Sequence, residues 1–383
     1  MKSRNLYTFI PIMLTFFAMG FVDLVGIATN YVKADFELTD TMANLLSSMV
    51  FLWFLVLSVP AGLLMNRIGR KKTVLLSLVV TLLSLVIPLV NYSFESMLIS
   101  FTLLGIGNTI MQVSLNPLIA SVVSKDSMAS TLTFGQFIKA VASFIAPILA
   151  SWAMLKWGDW RNAMYPLFAA IAGGVILLLS FVKIEEEKSD SRSVSILRCF
   201  SLLGDVSVLI LFLGIMAHVG LDVGINTSAP KILMERFGMD LTKASFATSF
   251  YFIFRTTGCL FGSWLLAKFP SKVIFGVSSF MILAGISLLF TANATVIYIG
   301  IVLFGLGNAN IFPIIFARAL QHRSDMQNEV SGLMIMGICG GAIFPLVMGL
   351  ASDTIGSQMG VLIVLAVCSI FLIVGVIPKI KNA

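Results

Sequence analysis

Residues 103–108 read LLGIGN and residues 303–308 read LFGLGN. Each string lies inside a long apolar run, and the same pattern written twice at so long an interval points to a duplicated chain. Other marks recur at almost the same offset: Asp23 with Asp222, Gly62 with Gly262, and Pro147 with Pro345. One small-residue match alone is weak, because glycines in apolar helices mostly serve close helix packing. Four marks in register define a repeat of six spans. Six is even, so both copies keep one orientation across a membrane, as parallel repeats do.

The apolar runs have membrane length. They are about 18–25 residues long, as needed to cross a hydrocarbon layer of about 30 Å. Twelve spans are predicted, over 6–32, 44–65, 73–91, 97–123, 130–154, 163–182, 206–230, 243–267, 272–292, 295–317, 329–352 and 359–378. Of the 383 residues 58% are hydrophobic and 11% charged, with mean hydropathy +1.01. A soluble chain carries about 25% charged residues. The expected fold is an all-α polytopic membrane protein. Its twelve transmembrane helices form two six-helix bundles, 1–182 and 206–383, related by pseudo-two-fold symmetry and joined by a cytoplasmic linker, 183–205. The acidic run at 185–187 reads as solvated linker.

With the N-terminus in the cytoplasm, seventeen of the 25 Lys and Arg fall on that side and six outside, as the positive-inside rule requires. The net charge of +7 therefore sets topology and does not indicate nucleic acid. The opening MKSRNL and its apolar run lack a small-x-small cleavage site and contain Asp23, so they read as a retained first span. Cys199, Cys259, Cys339 and Cys368 show no metal-ligand spacing, and no disulfide is expected. No nucleophile–base pair, phosphate loop or metal cluster has recognisable spacing, so no enzyme activity, cofactor or metal is expected.

Ionisable side chains in mid-span cost about 2.5–3.5 kcal/mol each on insertion scales. Four occur: Asp23, Lys139, Asp222 and Arg255. Facing lipid they would cost roughly 10–14 kcal/mol together, so they pair or line a wet cavity. Asn108, Gln112 and Asn116 lie four apart in span four, and His218, Asp222 and Asn226 repeat that spacing in span seven; residues four apart share a helical face. Gln136, Lys139 and Ser143 form a stripe in span five. Span one adds Asn30 to Asp23, and span ten offers Asn308 and Asn310. Spans 1, 4, 5, 7 and 10 thus face something polar, and spans 3, 6, 9 and 12 face lipid or packing. Structural readings stand beside these: Asp23 and Asp222 as interhelical ties, Arg255 as a pin for span eight, His218 as an interhelical donor, Asn116–Pro117 as a kink.

The stretch GLLMNRIGRKK, 62–72, resembles the G-x-x-x-D-R-x-G-R-R/K signature of the major facilitator superfamily. Gly62, Arg67, Gly69, Arg70 and Lys71 are in place, and Asn66 stands where the signature has Asp. The counterpart GSWLLAKFPSK, 262–272, keeps little beyond Gly262. Within that superfamily, VPAGLLM (59–65), SLNPLIASVV (114–123) and GQFIKAVASF (135–144) are similar to the fucose–galactose–glucose proton symporters. The likeness covers nearly the whole chain. Against that family's pattern, Gln112 replaces the acid before its Asn-Pro, Lys139 replaces its span-five Asn, and Asp23 lies about a turn from Gly26, where its span-one Asp would fall.

The expected protein is a secondary transporter working by alternating access about a central site. A hydroxyl-rich solute needs many donors and acceptors. The substrate-binding candidates are Asn30, Asn108, Gln112, Asn116, Gln136, Lys139, His218, Asn226, Asn308 and Asn310. Asp23 is the first proton-coupling candidate and Asp222 the second; Arg255, Arg67, Gly69 and Arg70 are charge-pairing or gating candidates. Proton-coupled uptake of a hexose or deoxyhexose leads. Lys139 and Arg255 motivate a rival, uptake of an organic anion such as a sugar acid; the 20 Met and 31 Phe motivate another, efflux of amphipathic compounds. A non-transporting sensor would lack a soluble signalling domain. The expected setting is the bacterial inner membrane, with both termini cytoplasmic, a functional monomer, and lipid, solute and proton as partners.

Overall fold

The computed structural model describes residues 6–38, 40–184, 186, 196–239, 244, 246–355 and 357–380. The opening MKSRN, most of the 183–195 linker and Lys243 lie outside the described residues. Among the described residues there are helices and no strands. Span one comprises α1 (Leu6–Met19), a 3-10 turn (Gly20–Asp23) and α2 (Leu24–Asp35). Spans two to six are α3 (Asp40–Ile68), α4 (Arg70–Val90), α5 (Phe94–Ala120), α6 (Met128–Trp157) and α7 (Arg161–Phe181). A short α8 (Ile196–Ser201) precedes α9 (Val206–Phe237), α10 (Phe246–Leu266) and α11 (Ser271–Leu289). Span ten breaks after Asn308 into α12 (Ala294–Asn308) and α13 (Ile311–His322). Span eleven contains α14 (Gln327–Met336) and α15 (Gly340–Ile355), and span twelve starts as α16 (Met359–Phe371). Among the described residues ten helical stretches are long and apolar enough to cross a membrane. Span seven runs past its predicted end at 230 to Phe237, where Gly238, at φ +60°, turns the chain.

The helix starts follow local capping chemistry. The side chains of Ser93 and Asn293 cap α5 and α12 by accepting from the amides of Ser96 and Val296, so the cap itself is repeated at the duplication interval. Asp205 caps α9 through the amides of Ser207 (2.8 Å) and Val208 (3.4 Å). Such caps satisfy donors that the first helical turn leaves unpaired. Burial opposes the Asp205 charge, but the hydrogen bonds from His322 and these amides hold its pKa below the usual carboxylate value.

Packing divides the chain into two compact units. The first holds Met1–Ser124, Ile138–Phe200 and Asp325–Met336; the second holds Lys125–Phe137, Ser201–Ser324 and Gly337–Ala383. Span five and span eleven therefore each change unit within their own length. In the first unit α5 is central and packs on α3, α4 and α14. In the second α12 packs on α10, α11 and α9.

The repeated hexapeptide performs the same packing in each unit. A Cβ on Gly105 would lie 2.6 Å from the Val50 carbonyl of α3, and one on Gly107 would lie 2.6 Å from Thr81 Oγ1 of α4. Its counterpart on Gly305 would lie 2.9 Å from the Tyr251 carbonyl of α10, and on Gly307 2.6 Å from the Ser278 carbonyl of α11. Each glycine pair seats one helix against two neighbours, and close backbone approach supplies the van der Waals contact that holds helices together in lipid. Gly105→Ala, whose methyl meets backbone that cannot rotate away, is expected to cost about 1–3 kcal/mol. Gly173→Ala, which meets nothing within 4 Å, is the control. Thermal unfolding of the two variants in detergent checks this, and equal melting temperatures would refute it. Outward apolar residues such as Phe181, Phe280 and Val367 on α7, α11 and α16 suit a lipid surround.

Candidate transport site

Asp23 owes its position to the break in span one. The 3-10 turn ends at Asp23 and follows directly on the Met19 carbonyl. Asn108 Nδ2 donates to that carbonyl at 2.7 Å. Gly20 lets the turn lie against α6, since a Cβ there would be 2.5 Å from the Lys139 carbonyl and 2.8 Å from Ala142 Cβ. Asp23 is exposed and accepts a 2.5 Å hydrogen bond from Ser143 Oγ on α6. Lys139, one turn before Ser143, is partly exposed. Among the described residues no carboxylate lies within 4 Å of it, so it forms no ion pair with Asp23.

The amide stripe of span four is turned inward. Asn108, Gln112 and Asn116 are all buried. Gln112 Nε2 donates to Asn108 Oδ1 at 2.7 Å, and Asn116 Nδ2 donates to the Gln112 carbonyl at 3.0 Å. The stripe was expected to offer an open binding face, and instead it ties α5 to the broken span one. Pro117 also accounts for a contact. Lacking an N–H, it leaves the Val113 carbonyl free, and Ser331 Oγ of α14 donates to that oxygen at 2.6 Å.

In the second unit, Asp222 on α9 is fully engaged. Its Oδ1 accepts from Tyr251 Oη and, at 3.2 Å, from Asn308 Nδ2. Its Oδ2 lies 3.2 Å from Arg255 Nη2. Asn308 Nδ2 also donates to Tyr251 Oη at 2.9 Å, while His218 Nδ1 sits 2.9 Å from Asn308 Oδ1. His218 and Asn308 are buried, so both act here as interhelical ties. Sequence reasoning missed Tyr251; its spacing of four from Arg255 was the available signal, since both belong to one face of α10. Asn310 is buried with its Nδ2 3.4 Å from Ser278 Oγ and its Oδ1 without a partner. It rests against Gly262, where a Cβ would clash with Asn310 Oδ1. Asn226 and Gln136 are partly exposed. The side chain of Asn30 lies outside the described residues.

The gating candidates separate. Arg70 is hydrogen-bonded to α5 and to the start of α14. Arg67 is exposed and makes no hydrogen bond or ion pair among the described residues. Gly69, at φ +87°, makes the turn between α3 and α4. Glu186, read from sequence as part of a solvated linker, accepts from the amides of Arg70 (2.6 Å) and Lys71 (2.7 Å). It thereby caps α4 from a distance of more than a hundred residues along the chain.

A second cluster, not anticipated from sequence, closes one end of the first unit. Tyr92 Oη (2.5 Å) and Trp160 Nε1 (3.1 Å) both donate to Asp35 Oδ2. Arg161 lies 3.7 Å over the Tyr92 ring and pairs with Asp159. Burial and the Asp35 carboxylate raise the Tyr92 pKa, so its hydroxyl stays a donor.

Repeated apolar helices, with a few intramembrane charges either paired or open, define a polytopic membrane protein of transporter type. The chain matches the Major Facilitator Superfamily over residues 12–345 and belongs to that superfamily, a family of transporters. A glucose/galactose transporter of Brucella abortus biovar 1 (strain 9-941) is 26% identical over 381 residues, covering 94% of this chain and 92% of the relative. The L-fucose-proton symporter of Escherichia coli (strain K12) is 22% identical over 383 residues, covering 87% and 84%. Among solved structures, the superfamily transporter FucP in the outward conformation has TM-score 0.85 at 19% identity, covering 98% of this chain and 100% of that one. That likeness is one of fold.

Proposed function

We propose that this protein takes up a hexose or deoxyhexose together with a proton, by alternating access. Asp23 carries the reading: it is an exposed carboxylate in an apolar span, held by one hydroxyl. It can gain and lose a proton without dismantling a packed network. Asp222, by contrast, is held by Tyr251, Asn308 and Arg255 and reads as a structural ion pair. The printed names of the relatives, a glucose/galactose transporter and an L-fucose-proton symporter, support a sugar as the solute. The charge asymmetry of the loops supports a bacterial inner membrane setting with both termini in the cytoplasm. The repeats 1–182 and 206–383 are the two halves of the machine, acting as a monomer.

Lys139 favours a second reading. A partly exposed ammonium without a carboxylate neighbour among the described residues suits an anionic solute such as a sugar acid. Uptake of labelled D-galactose into proteoliposomes under an imposed proton gradient decides between them. The hexose reading expects unlabelled D-glucose and L-fucose to compete and D-glucuronate not to. Competition by D-glucuronate alone, or no galactose uptake with rapid glucuronate uptake, would favour the anion.

A further inference from the structure

The end of the second unit at which the topology proposed above puts the cytoplasm carries a small basic recess. Lys125, Ser271, Arg318 and Gln321 line it over an apolar floor of Ile314 and Ile380, and no acidic side chain among the described residues does. All of these residues belong to that one unit. Four segments distant in the chain meet there: the residues before α6, the start of α11, the last turns of α13 and the chain after span twelve. The groups are held in place. Gln321 Nε2 donates to the Lys125 carbonyl at 2.9 Å, and Arg318 Nε donates to the Lys379 carbonyl at 2.9 Å. In the first turn of α6, Ser130 Oγ donates to the Ser263 carbonyl of α10 at 2.6 Å. The donors that face the recess are unused. Among the described residues Arg318 Nη1 and Nη2 and the Ser271 hydroxyl donate to nothing, and neither Arg318 nor Lys125 has a carboxylate within 4 Å. The start of α11 has no side-chain cap, and a helix start carries positive potential. The positive-inside rule accounts for basic residues on this side. It does not account for a half-buried guanidinium without a countercharge, because a partly desolvated cation needs a partner.

We propose that this recess binds the phosphate group of an organic phosphate. Arg318 meets two of its oxygens through Nη1 and Nη2, as guanidinium–phosphate pairs do. Lys125 adds a mobile point charge, and the Ser271 hydroxyl and the uncapped start of α11 donate to the remaining oxygen. The volume of the recess is about 20 Å3, room for one or two oxygens. The rest of the ligand therefore lies outside, and this is not the site of a whole sugar. A bound phosphate ties the residues before α6 to α11 and α13 and stabilises that end of the unit. Two sources share this chemistry: a soluble phosphate ester, and the head group of an anionic phospholipid. The assignment of this end to the cytoplasm rests on the topology proposed above; the binding does not.

The test uses the purified full-length chain in detergent. In one arm sn-glycerol 3-phosphate is titrated against the melting temperature, which a ligand of the folded state raises, with sodium chloride at matched ionic strength as reference. In the other, native mass spectrometry counts retained phosphatidylglycerol against phosphatidylcholine of the same chain length. Lys125→Gln and Arg318→Gln are expected to weaken binding by about tenfold or more, the worth of one charge-assisted hydrogen bond. Lys72→Gln, which removes an exposed lysine of the first unit, should bind as wild type does. Lys125→Gln keeps the backbone carbonyl that Gln321 holds, so it reads the site even if Arg318→Gln, which releases the Lys379 carbonyl, does not fold. A saturable rise with glycerol 3-phosphate that Lys125→Gln weakens supports the site with a soluble ester as ligand. Preferential retention of phosphatidylglycerol, lost in Lys125→Gln and without a glycerol 3-phosphate response, supports it with a lipid head group. A rise reproduced by sodium chloride, no response to either probe, or an equal loss in Lys72→Gln would overturn the proposal. Both arms read binding without transport, so they stand apart from the identity of the solute.

Discussion

Asp23→Asn is expected to abolish proton-driven accumulation of sugar while leaving exchange of internal for external sugar intact. Asn matches Asp in size, and its Oδ1 can still accept from Ser143 Oγ, which now holds Asp23 at 2.5 Å. The change therefore removes the negative charge and little else. A proton moving through 100 mV supplies about 2.3 kcal/mol, which sustains a concentration ratio of about fifty. The variant should fall to a ratio near one in proteoliposomes with an imposed gradient, and counterflow should stay near the wild-type rate. Accumulation that survived in Asp23→Asn would show that another group carries the proton. Asp222→Asn would then be the next variant to measure.

Arg255→Met is expected to destabilise the folded protein by about 3 kcal/mol, the lower end of the cost of leaving one partner of a buried ion pair alone. The lower end applies because the Arg255 and Asp222 side chains are 32% and 20% exposed, so solvent screens part of the charge. Asp222 would keep Tyr251 and Asn308 as donors but lose its countercharge. Adding Asp222→Asn to Arg255→Met removes the stranded charge, and the double variant should recover most of the loss. Thermal unfolding of both purified variants beside wild type tests this. A double variant no more stable than Arg255→Met would mean that the pair does not act through charge compensation.

The spans were readable because membrane length and apolarity are written locally in each run. The duplication was readable because Gly105, Gly107, Gly305 and Gly307 face backbone at van der Waals limits, which tolerates no larger residue. The direction of the polar stripes was not. Spacing put Asn108, Gln112 and Asn116 on one face, but the partner of that face is the Met19 carbonyl beside a 3-10 turn, which no periodicity announces. The same limit applies to Asp23 and Asp222. They are alike in sequence register, but one is exposed and the other is wrapped by Tyr251, Asn308 and Arg255. Asn66 stands where the signature has Asp, and the acid it donates to, Glu329, lies far along the chain.

Residue order alone settled that this chain crosses a membrane many times, that its second half copies its first, and that four ionisable groups must avoid lipid. These follow from transfer free energies, which depend on composition over a window of about twenty residues. Which of those four groups is open and which is paired, and where spans five and eleven pass from one unit to the other, depended on contacts between helices distant in sequence. Hydrogen bonds and ion pairs act over about 3–4 Å, and only the packed backbone brings their partners within that range.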